Sequence, residues 1–278
     1  MSSSSAHIPQ RMVGKVGVIT GSTQGLGEAI ARRFVHEGMT QVVITGRNAE
    51  RGESVRKSLE DSGAQAVFVQ ADLADIGTAK KLIGAADDNF GRVDVLVNSA
   101  AVTDRSTILD TTPEFYDWMT AVNVRSPFFL IQEAAKVMRR EKIAGSIINI
   151  QSMSAHGGQP FLCVYSLTKG AMATLTKNSA FSLMLDHIRV NGLNIGWMNT
   201  EGEDVIMKKY HGAKDGWLDE AVKSQPFGRL VEPEEIGRLC AYLGSEDSGM
   251  LTGALIDFDQ SVDGCYEYAP HPSAPVSA

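Results

Sequence analysis

The chain has 278 residues, 43% of them hydrophobic, enough to bury one substantial core without a second domain. A formal net charge of −7, with no clustered run of Lys and Arg, argues against a nucleic-acid partner. The three cysteines, Cys163, Cys240 and Cys265, are odd in number and lack any Cys-x-x-Cys spacing, which argues against a disulfide framework or a zinc knuckle and fits a reducing cytoplasm.

Met1–Ser5 has neither the basic start nor the apolar core of a signal peptide, and no segment approaches the roughly 18 apolar residues of a membrane span. Residues 1–11 read as a flexible tail. The first strand is Val16–Thr20, a short β-branched run that leads directly into Gly21-Ser22-Thr23-Gln24-Gly25-Leu26-Gly27. From Glu28 the spacing turns helical, with Ile30, Phe34 and Val35 apolar, until Gly38 supplies a stop. Strand, glycine turn and helix in this order form an anion site, because the free N–H groups of the first helical turn face a pyrophosphate that the glycines let approach.

Further strands are expected at Gln41–Thr45, Ala66–Val69, Val93–Val97, Ser146–Ile150, Ile188–Leu193 and Leu255–Phe258, alternating with helical patterns. Runs such as Val95-Leu96-Val97 and Ile147-Ile148 are apolar at consecutive positions, the mark of strands buried on both faces in a parallel sheet. An α/β, doubly wound domain of about seven parallel strands follows, over residues 12–264. About 20 positions past the glycine turn, where a carboxylate would accept from an adenosine ribose 2′-hydroxyl, stand Gly46 and Arg47. Arg47 can pair with a 2′-phosphate, which favours NADP over NAD. Stacking on adenine is the alternative and leaves NAD acceptable.

A long helical stretch from Pro113 to Arg139 holds Asn123, a residue of poor helix propensity. Ser152 follows the fifth strand at its carboxyl end, where open α/β sheets place ligands. Tyr165 and Lys169 stand four apart, so on a helix they share one face. A tyrosine is a poor base at its usual pKa of about 10, and a nearby positive charge favours its phenolate. The competing reading puts Lys169 on a solvated face and Tyr165 in the core. No His-Glu-x-x-His is present, since His36-Glu37 runs on to Gly38, Met39 and Thr40, so no metal is expected.

The Gly-x-x-x-Gly-x-Gly spacing after Thr20, with Asn98-Ser99-Ala100, Asn123, Ser152, Tyr165 and Lys169 in this order, resembles the short-chain dehydrogenase/reductase family over Met12–Gly264. Two positions depart from the family pattern: Ala101 stands where glycine is usual, and Ile195-Gly196 replaces Pro-Gly. The resemblance implies a Rossmann-type fold and an NAD(P)-dependent oxidoreductase interconverting a secondary alcohol and a ketone. Tyr165 would be the general acid/base, with Ser152 fixing the substrate oxygen. Lys169 would lower the tyrosine pKa and hold the nicotinamide ribose, and Asn123 would hold a water between Lys169 and solvent.

The cofactor would lie against Gly21, Ser22, Thr23, Gln24, Gly25, Leu26 and Gly27, then Arg47, the adenine-contacting Asp72 and Leu73, and Asn98 and Ala100. Tyr165, Lys169, Gly196 and Thr200 would complete its site. Asp72 read alone is equally a helix cap. Ser152, His156, Gln159, Tyr165 and Trp197 would meet the substrate under a lid at residues 197–227. Polar groups there, Glu201, Glu203 and Asp204 among them, point to a sugar, polyol or sugar acid. Steroid, 3-oxoacyl and other carbonyl substrates stay open, as do a non-catalytic dinucleotide-binding protein and a lyase or epimerase. The resemblance also implies a homodimer or homotetramer packed through helices near Pro113–Arg139 and Cys163–Leu185 and the segment Gly253–Gly264. Residues 265–278 read as a C-terminal tail.

Overall fold

A computed structural model describes residues 9–265; the expected tails at 1–8 and 266–278 lie outside them. Arg11 is already anchored, with its guanidinium on Asp247 and Glu37. Seven strands form one all-parallel sheet: β1 (Val16–Ile19), β2 (Gln41–Gly46), β3 (Gln65–Gln70), β4 (Val95–Asn98), β5 (Ser146–Ser152), β6 (Arg189–Ile195) and β7 (Leu255–Phe258). Their spatial order is β3-β2-β1-β4-β5-β6-β7. The order reverses between β1 and β4, and that switch point opens a crevice at the strands' carboxyl ends.

Alternation along each strand sends side chains to two cores. Ile19, Val42, Ile44, Val97, Ile148 and Leu193 face helices α1 (Gly25–His36) and α9 (Pro233–Gly244), where Phe34, Ile30 and Ile236 are fully buried. Val16, Val18, Val43, Leu96, Ile147 and Val190 face the opposite layer, α3 (Thr78–Phe90), α5 (Ser126–Arg140) and α6 (Cys163–Leu183). Burial on both faces is why these strands read as unbroken apolar runs.

The remaining helices are α2 (Ala49–Asp61), α4 (Pro113–Thr120), α7 (Glu201–His211) and the short α8 (Trp217–Ala221). Helix α1 starts at Gly25, three residues before the expected onset, because the glycine turn itself enters the helix. Strand β4 starts at Val95 rather than Val93, while β5 and β6 run two residues further than their apolar cores, to Ser152 and Ile195. The expected helix from Pro113 to Arg139 is not continuous. A π turn at Ala121–Arg125 separates α4 from α5, and Asn123 sits at its centre. Such a single-turn widening is common beside functional sites.

Candidate active site

The crevice is a cleft of about 1340 Å³ running from the glycine turn to the lid. At one end the glycines are held by close packing: a Cβ on Gly21 would stand 2.8 Å from Ala100 Cα, and one on Gly27 would stand 2.3 Å from the Gly21 carbonyl oxygen. Gly25 has φ +55, and a Cβ there would meet nothing closer than Thr200 at 3.9 Å, so its backbone faces open space. Helix α1 has no side-chain N-cap. Its first N–H groups therefore point into the cleft unclaimed, which fits a dinucleotide pyrophosphate.

Thr20 joins this turn to the next. Its Oγ1 accepts from the Ser99 and Ala100 N–H groups at 3.0 and 3.1 Å. Ser22 does not line the cleft: fully buried, its hydroxyl donates to the Ile19 carbonyl at 2.7 Å and accepts from the Thr45 N–H at 3.0 Å. It braces β1 against β2 in place of the cofactor contact expected of it. Thr23, Gln24 and Leu26 do line the cleft, as do Arg47, Asp72, Leu73 and Ala100. Asp72 also closes its own turn by accepting from the Ala74 N–H. Gln24 accepts from Arg51 of α2, a cation that the sequence reading passed over.

Asn98 likewise lies behind the cleft wall. Its amide donates to Asn149 Oδ1 at 2.9 Å, Asn149 donates to Thr176 Oγ1 at 2.9 Å, and Gln151 donates to the same oxygen at 2.9 Å. This buried ladder ties β4 and β5 to α6, so Asn98 positions strands where a ribose contact was expected. Asn123 is spent similarly: its amide donates to the Val102 carbonyl and Thr168 Oγ1, and its Oδ1 accepts from the Val102 N–H. The side-chain amide thereby pins the loop after β4 to α6.

Ser152, Tyr165 and Lys169 converge where β5 ends and α6 begins. The Ser152 hydroxyl caps a 3₁₀ turn at Met153–His156 by accepting from the Ser154 N–H at 3.1 Å, and it lies close enough to the Tyr165 phenol to act on its pKa. Lys169 is 4% exposed, donates to the Ile150 carbonyl at 3.0 Å, and sets its Nζ 5.4 Å from the Tyr165 ring centroid. One helical face does hold both side chains. The expected depression of the tyrosine pKa by lysine is not found in the protein by itself. Burial pushes the Tyr165 phenol up to about 12, with Ser152 and Arg105 drawing it down and Glu203 adding to the rise. Burial also pushes the Lys169 ammonium down to about 8, so its charge is itself weakened.

His156 and Gln159 border the substrate end. His156 Nε2 lies 3.0 Å from Asp257 Oδ1, and its Nδ1 lies 3.5 Å from Asp263 Oδ2. The hydrogen bond that the imidazole donates to Asp257 is the main cause that holds its pKa above the usual value. Asp257 also accepts from Asn194 at 2.7 Å. Gly196 packs on Asp259, whose carboxylate would overlap any Cβ there. The segment after β7 thus forms one cleft wall, a contribution that the sequence did not announce.

The segment after β6, where a lid is expected, is built on Thr200, which caps α7 by accepting from the Glu203 N–H at 3.1 Å. Trp197 donates to Glu203 Oε1 at 2.8 Å and stacks on Trp217 at 5.7 Å between centroids. Burial is the main cause that raises the Glu203 carboxyl above the usual carboxylate range. Among the described residues, no group of His, Cys, Asp and Glu is arranged to hold a metal ion.

Residues 20–262 match the family model described as enoyl-(acyl carrier protein) reductase. The NADP-dependent (R)-specific alcohol dehydrogenase of Lentilactobacillus kefiri is 35% identical over 92% of this chain and 98% of its own. The galactitol 2-dehydrogenase of Agrobacterium fabrum is 30% identical over 90% of this chain and 97% of its own. Among solved structures, L-sorbose reductase from Gluconobacter frateurii, complexed with NADPH and L-sorbose, superposes with a TM-score of 0.83 at 28% identity, covering 90% of this chain and 97% of that one.

Proposed function

From the premise that the chain belongs to the short-chain dehydrogenase/reductase family and is an NADP-dependent oxidoreductase acting on CH–OH groups, we propose that its substrate is a sugar, a polyol or a sugar acid, interconverted between secondary alcohol and ketone. The observation that carries this reading is the meeting of Ser152, Tyr165 and Lys169 in a cleft whose substrate end is lined by polar groups: His156, Gln159, Glu203 and Asp263. Such a lining hydrogen-bonds hydroxyls.

The nicotinamide supplies or accepts the hydride when NADP is bound. Tyr165 exchanges the hydroxyl proton of the substrate as general acid/base. Its raised pKa keeps it protonated, the form needed to donate to a ketone oxygen. Ser152, beside the phenol in the cleft, fixes that oxygen next to it. Lys169 is held under the tyrosine ring by the Ile150 carbonyl and reaches the cleft, where its ammonium can donate to the ribose hydroxyls. Arg47, exposed at the end of β2, pairs with the 2′-phosphate. The test is a panel of polyols, sugar acids, 3-oxoacyl thioesters and steroids, followed by the absorbance of reduced nicotinamide with each cofactor. Turnover confined to thioesters or steroids would overturn the proposal.

Assembly as a homodimer or homotetramer belongs to the same reading. Phe181 and Leu185 are 79% and 94% exposed near the end of α6, with Met184 and Phe128 of α5 also at the surface. Ile131, Met172 and Leu175 of the same helices pack inward. A cytoplasmic setting is supported by three unpaired cysteines, and no helix among the described residues is long and apolar enough to cross a membrane.

A further inference from the structure

Arg105 stands in the loop after β4 and lines the substrate end of the cleft. Its place is fixed by the backbone on either side of Tyr165's helix. Ser106 pairs with Leu162: the Ser106 N–H donates to the Phe161 carbonyl at 3.0 Å, and the Cys163 N–H donates to the Ser106 carbonyl at 3.2 Å. Two bonds therefore clamp the loop to the start of α6, two residues before Tyr165. Asn123 holds the other side of the loop through Val102.

The guanidinium rests on the Phe161 ring at 5.7 Å, donates from Nη1 to the Thr103 carbonyl at 2.7 Å, and lies 3.4 Å from His211 Nε2 through Nε. No carboxylate among the described residues forms an ion pair with it. At the substrate end of the cleft the neighbouring cations are otherwise engaged, and the remaining one lies far along it. Lys169 is buried on Ile150, His156 lies between Asp257 and Asp263, and Arg47 lies at the cofactor end beside β2. Its neighbour Asp104 is taken by Lys209 and Tyr210. Arg105 is thus a preorganised cation with donors to spare, near enough that its charge is felt by both Tyr165 and Glu203.

We propose that Arg105 is a specificity-determining residue that binds a carboxylate on the substrate, so that the cleft selects a polyhydroxylated carboxylic acid over the corresponding neutral polyol. The inference rests on the sugar and polyol reading of the cleft and narrows it. The acid's carboxylate occupies Arg105's free donors, its hydroxyls reach Glu203 on the lid, and its reacting carbon lies between them against Ser152 and Tyr165. A planar guanidinium stacked on an aromatic ring suits this use, because its fork is held in one orientation before the anion arrives. A neutral polyol leaves that fork with water only.

The experiment compares D-gluconate with D-sorbitol, in wild type and in Arg105→Ala, by turnover with NADP and by calorimetric binding of gluconate to the NADP-loaded protein. We expect kcat/KM for gluconate to fall about 10- to 100-fold in the variant, the scale of a lost charged hydrogen bond, while sorbitol stays within about threefold. Gluconate binding should weaken in parallel, and Arg105→Lys should restore part of it. Lys209→Ala loosens the same lid contact without touching the cation, and it should move both substrates together.

Equal losses for gluconate and sorbitol in Arg105→Ala would make Arg105 a brace for the lid and overturn the inference. Unchanged gluconate binding in that variant would do the same while leaving the polyol reading intact. If neither compound is turned over, the polyol reading fails. Arg105-dependent binding of gluconate would still support the carboxylate site.

Discussion

Gly46, the last residue of β2, lies so close to Thr23 in the glycine turn that a Cβ on it would stand 2.3 Å from Thr23 Oγ1 and 2.6 Å from its Cγ2. The position where a carboxylate would select NAD therefore has no room for a side chain of any kind. Cofactor choice is left to Arg47, the next residue, which lines the cleft beside it. Arg47→Ala should weaken NADP by about 1.5–3 kcal/mol and leave NAD nearly unchanged, as measured by calorimetry with each cofactor. Equal losses would mean that Arg47 stacks on adenine and does not read the phosphate. Gly46→Asp should bind neither cofactor well, and adding Thr23→Gly should recover NAD selectively by making room for the new carboxylate.

The amide ladder behind the active site converges on one hydroxyl. Thr176 Oγ1 accepts from Asn149 and Gln151 and donates to the Met172 carbonyl at 2.8 Å. Thr176→Val keeps the shape and removes the acceptor, stranding the Asn149 amide and leaving Gln151 only its longer bond to the Met172 carbonyl at 3.3 Å, at a cost of about 1–3 kcal/mol or more. Thermal unfolding should fall by several degrees, given roughly 2–4 °C per kcal/mol in a chain of this size. A variant as stable as wild type would show that the ladder repairs itself around the lost oxygen.

Lys169 makes the empty protein's stability depend on pH. Its folded pKa, about 8, lies below its usual 10.5, so between those values the unfolded chain binds a proton that the folded one does not. Stability gained from this group therefore rises with pH across that window, at up to ~1.4 kcal/mol per pH unit. Tyr165 acts oppositely and later: raised from 10.0 to about 12, it lowers stability only as pH climbs above 10. Denaturant unfolding of wild type against Lys169→Met should therefore show the wild type gaining on the variant from about pH 8 to about pH 9.5. A constant gap would contradict the burial of the charged ammonium.

His156 clasps the segment after β7 through Asp257 and Asp263. Its pKa is raised, chiefly by Asp257, so this contribution is fully present below the usual histidine pKa and is lost as pH rises through the higher folded one. Asp257 is lowered: burial opposes its charge but is outweighed by the bonds from His156 and Asn194, so its share is lost only in acid. The clasp should therefore be tightest near about pH 5.5 and weaker by about pH 8.5. Hydrogen exchange of residues 257–265, corrected for intrinsic rates, should follow that trend in wild type and be flat in His156→Asn.

Much of this was legible in the chain. The glycine turn and the Tyr165–Lys169 spacing carry their geometry locally, within one turn of backbone, and both fold as their residue types dictate. The doubly buried strands were equally plain. The bracing bonds of Ser22, Asn98 and Asn123 were not legible, for a shared reason: a polar side chain next to a ligand site and one that braces the site from behind look alike in sequence. Only their partners, Thr45, Asn149 and Val102, distinguish them, and those are set by tertiary packing across 21 to 51 residues. Arg105 had no local signal at all. Its place depends on a bridge between Ser106 and Leu162, which periodicity does not reveal.

The central claim is that Tyr165 moves the proton, and Tyr165→Phe tests it most directly. The variant keeps the half-buried ring against Lys169 and removes only the hydroxyl. NADP affinity should stay within about threefold of wild type, while turnover on the best substrate falls by at least the ~10²-fold typical of a lost general acid/base. Turnover retained within a factor of about three, with cofactor binding intact, would contradict the account, since that loss could then not be the general acid's.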